Sequence, residues 1–267
     1  MSIKNSKSGN LSGKFKPLAT LAFCLSVSLA LLPMASEAFS IAVISPPPVQ
    51  QPVDKVQLEN LKNHDVIVFV DASHSMAISD CAGQSRWQWC KEQSVALGDS
   101  LKVPLGTHLK LVAFSENFKV YPDINWNSVA GFFEKNKPTG NTDATRAIKS
   151  QLNQYFAARK ALQPGQTMRP LLIAMITDGS PDRPLSLKET IIEATKQMND
   201  SNEVAITFLQ VGSDAKATRY LQELDDCLVS HKARFDIVKT KTFAQLSQTG
   251  LVNALLQSVS ATELASK

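Results

Sequence analysis

Short apolar runs alternate along the chain with longer segments whose apolar residues recur at helical spacing. A short continuous apolar run is typical of a strand that is buried on both faces of a sheet. Apolar residues three and four positions apart predict a helix with one buried face. These patterns predict strands at 66–70, 109–114, 118–121, 171–176, 204–211 and 234–238, and helices at 86–101, 129–133, 144–159, 185–198, 215–228 and 243–256.

Strands that alternate with helices in this way are typical of a mostly parallel sheet with helices on both faces. We therefore predict an α/β fold with three α-β-α layers, Rossmann-like, in which the short strand 118–121 forms an antiparallel edge. Ligands of such sheets bind beyond the carboxyl ends of the strands. The residues that directly follow each strand are therefore the first candidates for a functional site.

The first residues have the pattern of an export signal. Lysines precede an apolar run, Leu18–Leu32, and Pro33 ends that run. Ser36 and Ala38 are small residues at the positions that a signal peptidase reads, so we expect cleavage after Ala38. A retained N-terminal anchor is the alternative, although the run is short for a membrane span. The expected organisation is a signal peptide or anchor at 1–38, a proline-rich linker at 39–55, a folded domain at 56–260 and a tail at 261–267.

The formal net charge of +4 comes mainly from four lysines within this leader. The rest of the chain is nearly neutral, so it offers no electrostatic footprint for nucleic acid. We expect an exported protein, periplasmic or secreted, or anchored to the inner membrane if the leader is retained. Contact with a membrane is expected only through that uncleaved segment.

Cys81 and Cys90 lie close together within the segment DCAGQSRWQWC. In an oxidising compartment such a pair predicts a local disulfide, and two buried thiols are the alternative. Cys227 falls on the apolar face of the predicted helix 215–228, which predicts a buried structural thiol. None of the four histidines has the spacing of a zinc ligand, so a zinc site is not expected.

Oxygen-bearing side chains follow two of the predicted strands. Asp71, Ser73 and Ser75 alternate directly after strand 66–70, and Asp178 follows strand 171–176. A third polar segment, 139–145, opens a helix at the same edge of the proposed sheet. Carboxylates and hydroxyls without thiolate or imidazole are hard ligands that suit Mg²⁺ or Mn²⁺. Neutral hydroxyl ligands would leave such a metal electron-poor, so it would favour a further carboxylate from outside.

At these residues the sequence resembles the von Willebrand factor A domain family. The segment TFLQVG at 207–212, followed by a helix that ends in Leu224-Asp-Asp226, resembles its bacterial exported members in particular. DASHS matches the family's DxSxS motif, GNTDATRAI resembles the segment that supplies its threonine, and ITDG resembles the strand end that supplies its second aspartate. The resemblance covers roughly 66–256, with His74 and Asn141 where the family has glycine. It implies a metal-ion-dependent adhesion site that holds Mg²⁺ or Mn²⁺ through Asp71, Ser73, Ser75, Thr142 and Asp178.

The expected function is therefore a metal-dependent adhesion or assembly module whose partner is a protein that presents a carboxylate. We do not expect an enzyme, because no nucleophile–base pair accompanies the motifs. A Mg²⁺-dependent phosphatase-like hydrolase is the first alternative, since aspartyl-phosphate enzymes also place an aspartate after a buried strand. In those enzymes another aspartate stands where this chain has Ser73. The second alternative is a scaffold subunit that works with a separate ATPase, since this sequence has no Gly-rich phosphate loop.

Export gives the first testable prediction. The lysines, the apolar run and the Ser-x-Ala pattern predict that the mature chain begins at Phe39. N-terminal sequencing of protein from the periplasm or the medium measures this directly. Recovery of the full-length chain from the cytosol would contradict the export prediction, and full-length protein in the membrane fraction would indicate the retained anchor.

Overall fold

The computed structural model describes residues 59–105, 108–179 and 181–264. They lie within one compact unit that the contacts place at Ile44–Lys267. The predicted leader 1–38 and linker 39–55 lie outside the described residues and stay predictions. Within the described part of the chain, no helix combines the length and the apolar character needed to span a membrane.

A six-stranded sheet forms the centre of the domain, with strand order β3-β2-β1-β4-β5-β6. Every neighbouring pair is parallel except β2 and β3, which pair antiparallel at one edge. This confirms the predicted three-layer α/β fold and its antiparallel edge. The strands are β1 (Asp65–Asp71), β2 (His108–Phe114), β3 (Phe118–Asn125), β4 (Leu171–Thr177), β5 (Val204–Gln210) and β6 (Val238–Lys241).

Helices cover both faces of this sheet because the side chains of its central strands alternate between two apolar clusters. In β1, Val68 and Val70 belong to one cluster, whereas Ile67 and Phe69 belong to the other. α1, α2 and α6 contribute to the first cluster, and α3, α4 and α5 to the second. The helices are α1 (Arg86–Leu105), α2 (Val129–Lys135), α3 (Ala144–Lys160), α4 (Pro184–Gln197), α5 (Ala215–Cys227) and α6 (Phe243–Leu264), with 3₁₀ turns at His74–Ala77 and Trp126–Ser128.

The strand order has a reversal between β1 and β4. The chain leaves β1 towards β2 and β3 on one side, and then returns to β4 on the other side of β1. The loops that follow β1 and β4 therefore diverge to opposite sides, and ligands of open α/β sheets usually bind at such a switch point. Asp71 ends β1 and Asp178 directly follows β4, so the fold places both at this switch point.

Two strand predictions differ from the structure. The last strand spans Val238–Lys241 instead of 234–238, because pairing with β5 begins only at Val238. Ile237, just before it, is buried and its carbonyl accepts from Ile206 N of β5, but it lies outside the strand. β3 continues to Asn125 beyond the predicted 121 because its pairing with β2 extends that far. Its half-exposed, polar sequence hides this extension from an apolar pattern.

Two glycines in neighbouring helices give a test of the packing. Gly98 in α1 is buried, and a Cβ there would lie 2.8 Å from Cε3 of the buried Trp126. Gly98→Ala should therefore destabilise the domain by about 1–3 kcal/mol through overpacking, despite the better helix propensity of alanine. Gly131→Ala in α2 is the matched control, because a Cβ there meets nothing within 4 Å. The control should be neutral or stabilising by up to about 1 kcal/mol. Urea unfolding measures both, and equal effects would contradict this packing.

Candidate metal centre

Two buried carboxylates meet where β1 and β4 end. Asp71 is 0% exposed and Asp178 is 2% exposed. β1 and β4 are direct neighbours, and the pair Val70–Ile176 stands next to this edge. The parallel register thus brings together two aspartates that lie more than a hundred residues apart in the sequence.

The loop after β1 folds back so that its serines face these carboxylates. The backbone N–H of Ser73 donates to Asp71 Oδ1 at 2.8 Å, which turns the chain sharply after the strand. The hydroxyls of Ser73 and Ser75 are 3.1 Å apart, and the Ser75 hydroxyl donates to Asp178 Oδ1 at 3.0 Å. One continuous hydrogen-bonded chain therefore links Asp71, Ser73, Ser75 and Asp178, four of the five predicted ligands.

Thr142, the fifth, lies on the adjoining loop before α3. That loop is tied to the loop after β1 by two backbone hydrogen bonds, from His74 N to Gly140 O at 3.0 Å and from Thr139 N to Ala72 O at 2.8 Å. Gly140 has φ +76°, a conformation that favours glycine. The Thr142 N–H donates to Asp182 Oδ2 at 2.9 Å, and Asp182 N returns a bond to Thr142 O. Thr142 thus lies on a loop that is tied to the loop after β1, and its own hydrogen bonds among the described residues go to Asp182.

Sequence reasoning missed two residues that hold the aspartates. The Thr177 hydroxyl donates to Asp71 Oδ2 at 2.7 Å and is itself buried. Arg86, at the start of α1, donates from Nη1 to Asp178 Oδ2 at 2.8 Å. Thr177 directly precedes Asp178 in the ITDG segment, so its position in the sequence could have indicated a contact with the site. For Arg86 the sequence offers a weaker indication, a cation beside the buried residues Trp87 and Trp89.

Arg86 also binds a third carboxylate. Its Nε and Nη2 donate to the two oxygens of Asp80 at 2.9 and 2.6 Å, a bidentate pair. Hydrogen bonds and charge from Arg86 hold the pKa of Asp80 below its usual range. The same bonds, from Asp80 first and then Asp178, raise the pKa of Arg86, so the guanidinium stays charged in its buried position.

The electrostatics of the pair of aspartates favour a bound cation. Burial, and then the charge of Asp178, raise the pKa of Asp71 to about 7. Burying a carboxylate costs free energy unless it is paired with a cation or a metal, and Asp71 receives only neutral donors from Ser73 and Thr177. Two carboxylates and two serine hydroxyls form an all-oxygen donor set that suits Mg²⁺ or Mn²⁺. The described residues contain no group of three or more His, Cys, Asp or Glu that could hold a metal, so this site depends on its hydroxyls.

The cysteines differ from the sequence predictions. Cys81 and Cys90 are free thiols in the structure, both fully buried, so the predicted disulfide is not formed. The Cys81 thiol keeps its hydrogen and donates it to Asp80 Oδ1 at 3.6 Å. Burial raises the pKa of Cys81 to about 12 and also raises that of Cys90. Cys227 is half-buried instead of buried, because it ends α5 beyond the face that carries Leu221 and Leu224.

The comparison with known families identifies the family of the domain. The pattern of the von Willebrand factor type A domain matches residues 65–249, which is most of the chain and nearly all of the described domain. The chain belongs to the von Willebrand factor type A domain family. None of the curated proteins compared with this VWA domain is similar to it.

Two solved structures are similar to this chain at low sequence identity. A mutant of the PilB minor pilin from Streptococcus sanguinis superposes with a TM-score of 0.50 and 14% identity, over 76% of this chain and 61% of that one. Manganese-loaded TRAP protein from Plasmodium vivax gives a TM-score of 0.46 and 12% identity, over 74% of each chain. This chain spans about three fifths of the length of the pilin. At this identity the likeness concerns the VWA fold alone.

Thr177 gives a test of how the site is held together. Thr177→Val keeps the side-chain shape but leaves Asp71 Oδ2 without its buried donor, so the domain should lose about 1–3 kcal/mol of unfolding free energy. Thr145→Val is the matched control, because the buried Thr145 hydroxyl has no hydrogen-bond partner in the described structure. The control should change stability by less than about 0.5 kcal/mol. Thermal or urea unfolding in chelator measures both without a contribution from metal, and an unaffected Thr177→Val would contradict the assigned hydrogen bond.

Proposed function

We propose that this VWA domain holds one divalent cation, Mg²⁺ or Mn²⁺, and uses it to bind a carboxylate of a partner protein. The observation that carries the proposal is the hydrogen-bonded chain Asp71–Ser73–Ser75–Asp178 at the carboxyl ends of β1 and β4, in which both aspartates are buried. Thr142 on the adjoining loop would supply the fifth oxygen. The proposal is a binding module for adhesion or assembly, without catalysis.

Each residue has a distinct task in this proposal. Asp71 and Asp178 supply the negative charge that offsets the cost of stripping water from a cation. Ser73 and Ser75 add neutral oxygens, so the cation keeps more of its charge than it would among carboxylates alone. A bound Mg²⁺ or Mn²⁺ supplies a Lewis-acidic centre that takes an additional oxygen ligand. Thr177 and Arg86 do not need to touch the cation, since they hold the far oxygens of the two aspartates.

A binding role is favoured over hydrolysis by the surroundings of Asp71. Its oxygens accept hydrogen bonds from Ser73 N and from the Thr177 hydroxyl, which fix the orientation of the carboxylate and leave further lone pairs for a cation. His74, the nearest histidine in the sequence, is exposed and contacts the neighbouring loop through its backbone. A general base must lie within hydrogen-bond reach of its target, and His74 is not among the residues that hold Asp71.

The proposed setting is outside the cytoplasm. The lysines and apolar run of the leader support export, and a partner would then be met in the periplasm or at the cell surface. A nearly neutral domain gives little long-range steering, so specificity would come from the contact surface around the metal.

Substitution of a single ligand tests this function. Asp71→Asn removes a central negative charge at almost constant shape, and should weaken binding of Mn²⁺ more than about 100-fold, since even supporting residues of metal sites are worth 10–100-fold. Thr142→Ala removes one hydroxyl and should weaken it by about tenfold or less. Asp226→Ala, which removes an exposed carboxylate of α5, is the control and should bind as wild type. Titration calorimetry with Mn²⁺ and Mg²⁺ measures all four proteins.

Partner binding provides the second half of this test. An envelope protein captured by the wild-type domain should be released by chelator and should not be captured by Asp71→Asn. If wild type binds neither cation, or if capture is equally strong in chelator, the metal-dependent function is wrong and the family assignment alone stands. A Mg²⁺-dependent phosphatase activity that is lost in Asp71→Asn would replace it with the hydrolase alternative.

A further inference from the structure

Arg86 is a buried cation in direct contact with the proposed metal centre. Its side chain is 8% exposed, and its Nη1 lies 2.8 Å from Oδ2 of Asp178, which is 2% exposed. The other oxygen of Asp178 accepts from Ser75. The guanidinium therefore holds one side of Asp178, while the opposite side faces the serines of the proposed site.

The charges around this contact form a small closed group. When their carboxyl groups are ionised, Asp71, Asp178 and Asp80 carry three negative charges, and Arg86 carries one positive charge. A divalent cation added to this group makes it neutral. Without Arg86, the same group would remain negative after the cation had bound, and an incoming carboxylate would meet that negative charge.

The fold contains a dedicated space for the guanidinium. Gly212, just after β5, has φ +78°, and a Cβ at this position would lie 2.8 Å from Arg86 Cζ and closer still to Nε. A side chain at residue 212 and the present position of Arg86 therefore exclude one another. The loop after β5, which carries none of the predicted ligands, thus leaves the space that the Arg86 guanidinium occupies.

We infer that Arg86 sets the ligand preference of the metal centre, by weakening its hold on the cation and strengthening its hold on a carboxylate. This inference rests on the proposed function. The fixed positive charge of Arg86 next to Asp178 repels the metal cation and attracts the incoming carboxylate. Both effects are strong because the site is buried and its effective dielectric constant is low. Arg86 is a positioning residue for Asp178 and does not bind the partner itself.

Three variants separate charge from shape. Arg86→Gln removes the charge but keeps hydrogen-bond donors, and Arg86→Lys keeps the charge but loses the fork that binds two carboxylates. Gly212→Ala leaves Arg86 in the sequence but moves it from its present position. Gly165→Ala is the control for Gly212→Ala, because Gly165 has φ +86° with nothing within 4 Å of its Cβ. It carries the same backbone strain at a position without a guanidinium.

The measurements use Mn²⁺ alone and then acetate as the carboxylate probe. Calorimetry gives the Mn²⁺ affinity, and water-proton relaxation of the Mn²⁺-loaded protein reports acetate that displaces metal-bound water. Arg86→Gln should bind Mn²⁺ roughly tenfold more tightly and acetate roughly tenfold more weakly. Gly212→Ala should change both affinities in the same directions by less, whereas Arg86→Lys and Gly165→Ala should stay within about threefold of wild type.

Tighter Mn²⁺ binding together with weaker acetate binding identifies an electrostatic role for Arg86. A residue that only supports the fold would weaken both affinities when it is replaced. Circular dichroism and thermal unfolding in chelator show which variants are folded, and Gly212→Ala decides the question if Arg86→Gln does not fold. The inference is overturned if folded Arg86→Gln or Gly212→Ala binds both ligands more weakly, or binds both as wild type does. Failure of wild type to bind Mn²⁺ would remove the proposed function and the inference together, and so is distinct from failure of the inference alone.

Discussion

The burial of two like charges side by side is the constraint on which the rest of this structure depends. Asp71 and Asp178 are almost inaccessible to water and lie at the ends of adjacent strands. Burial, and then the charge of Asp178, disfavour the charged form of Asp71. Much of the surrounding structure supplies hydrogen-bond donors that lower the free-energy cost of burying the two carboxylates. A bound cation would lower that cost further.

Those donors come from parts of the chain that are far apart in sequence. Ser73 and Ser75 come from the loop after β1, Thr177 from the end of β4 and Arg86 from the first turn of α1. Each satisfies a different carboxylate oxygen, so the two aspartates are fixed in orientation before any ligand arrives. Prior orientation of this kind lowers the cost of forming a metal centre, because fewer side chains need to be ordered on binding.

The apolar core supplies the rigidity that this arrangement requires. The strands that end at the site, β1 and β4, have buried side chains on both faces and are held between two separate apolar clusters. Their register fixes which residues reach the edge of the sheet. A shift of one residue in either strand would turn its side chains to the other face, and would separate Asp71 from Thr177.

The sequence by itself determined the layers of the fold and the neighbourhood of the site. Short apolar runs such as 171–176 are typical of central strands, and polar residues that directly follow two parallel strands lie at one edge of the sheet. Its weakest predictions were at places without an apolar pattern, such as the polar extension of β3 and the true position of β6.

Only the tertiary structure decided how the site is held. The contact of Arg86 with Asp178 joins residues 92 positions apart, and its space depends on Gly212, which is more distant still. Nothing local in the sequence links these three residues, because the contact exists only after α1 has packed on the sheet. Whether Cys81 and Cys90 form a disulfide was also decided by the tertiary structure. Their spacing permitted a disulfide, but packing left both buried and free. Spacing along a chain limits which side chains can meet, whereas packing determines which of them do.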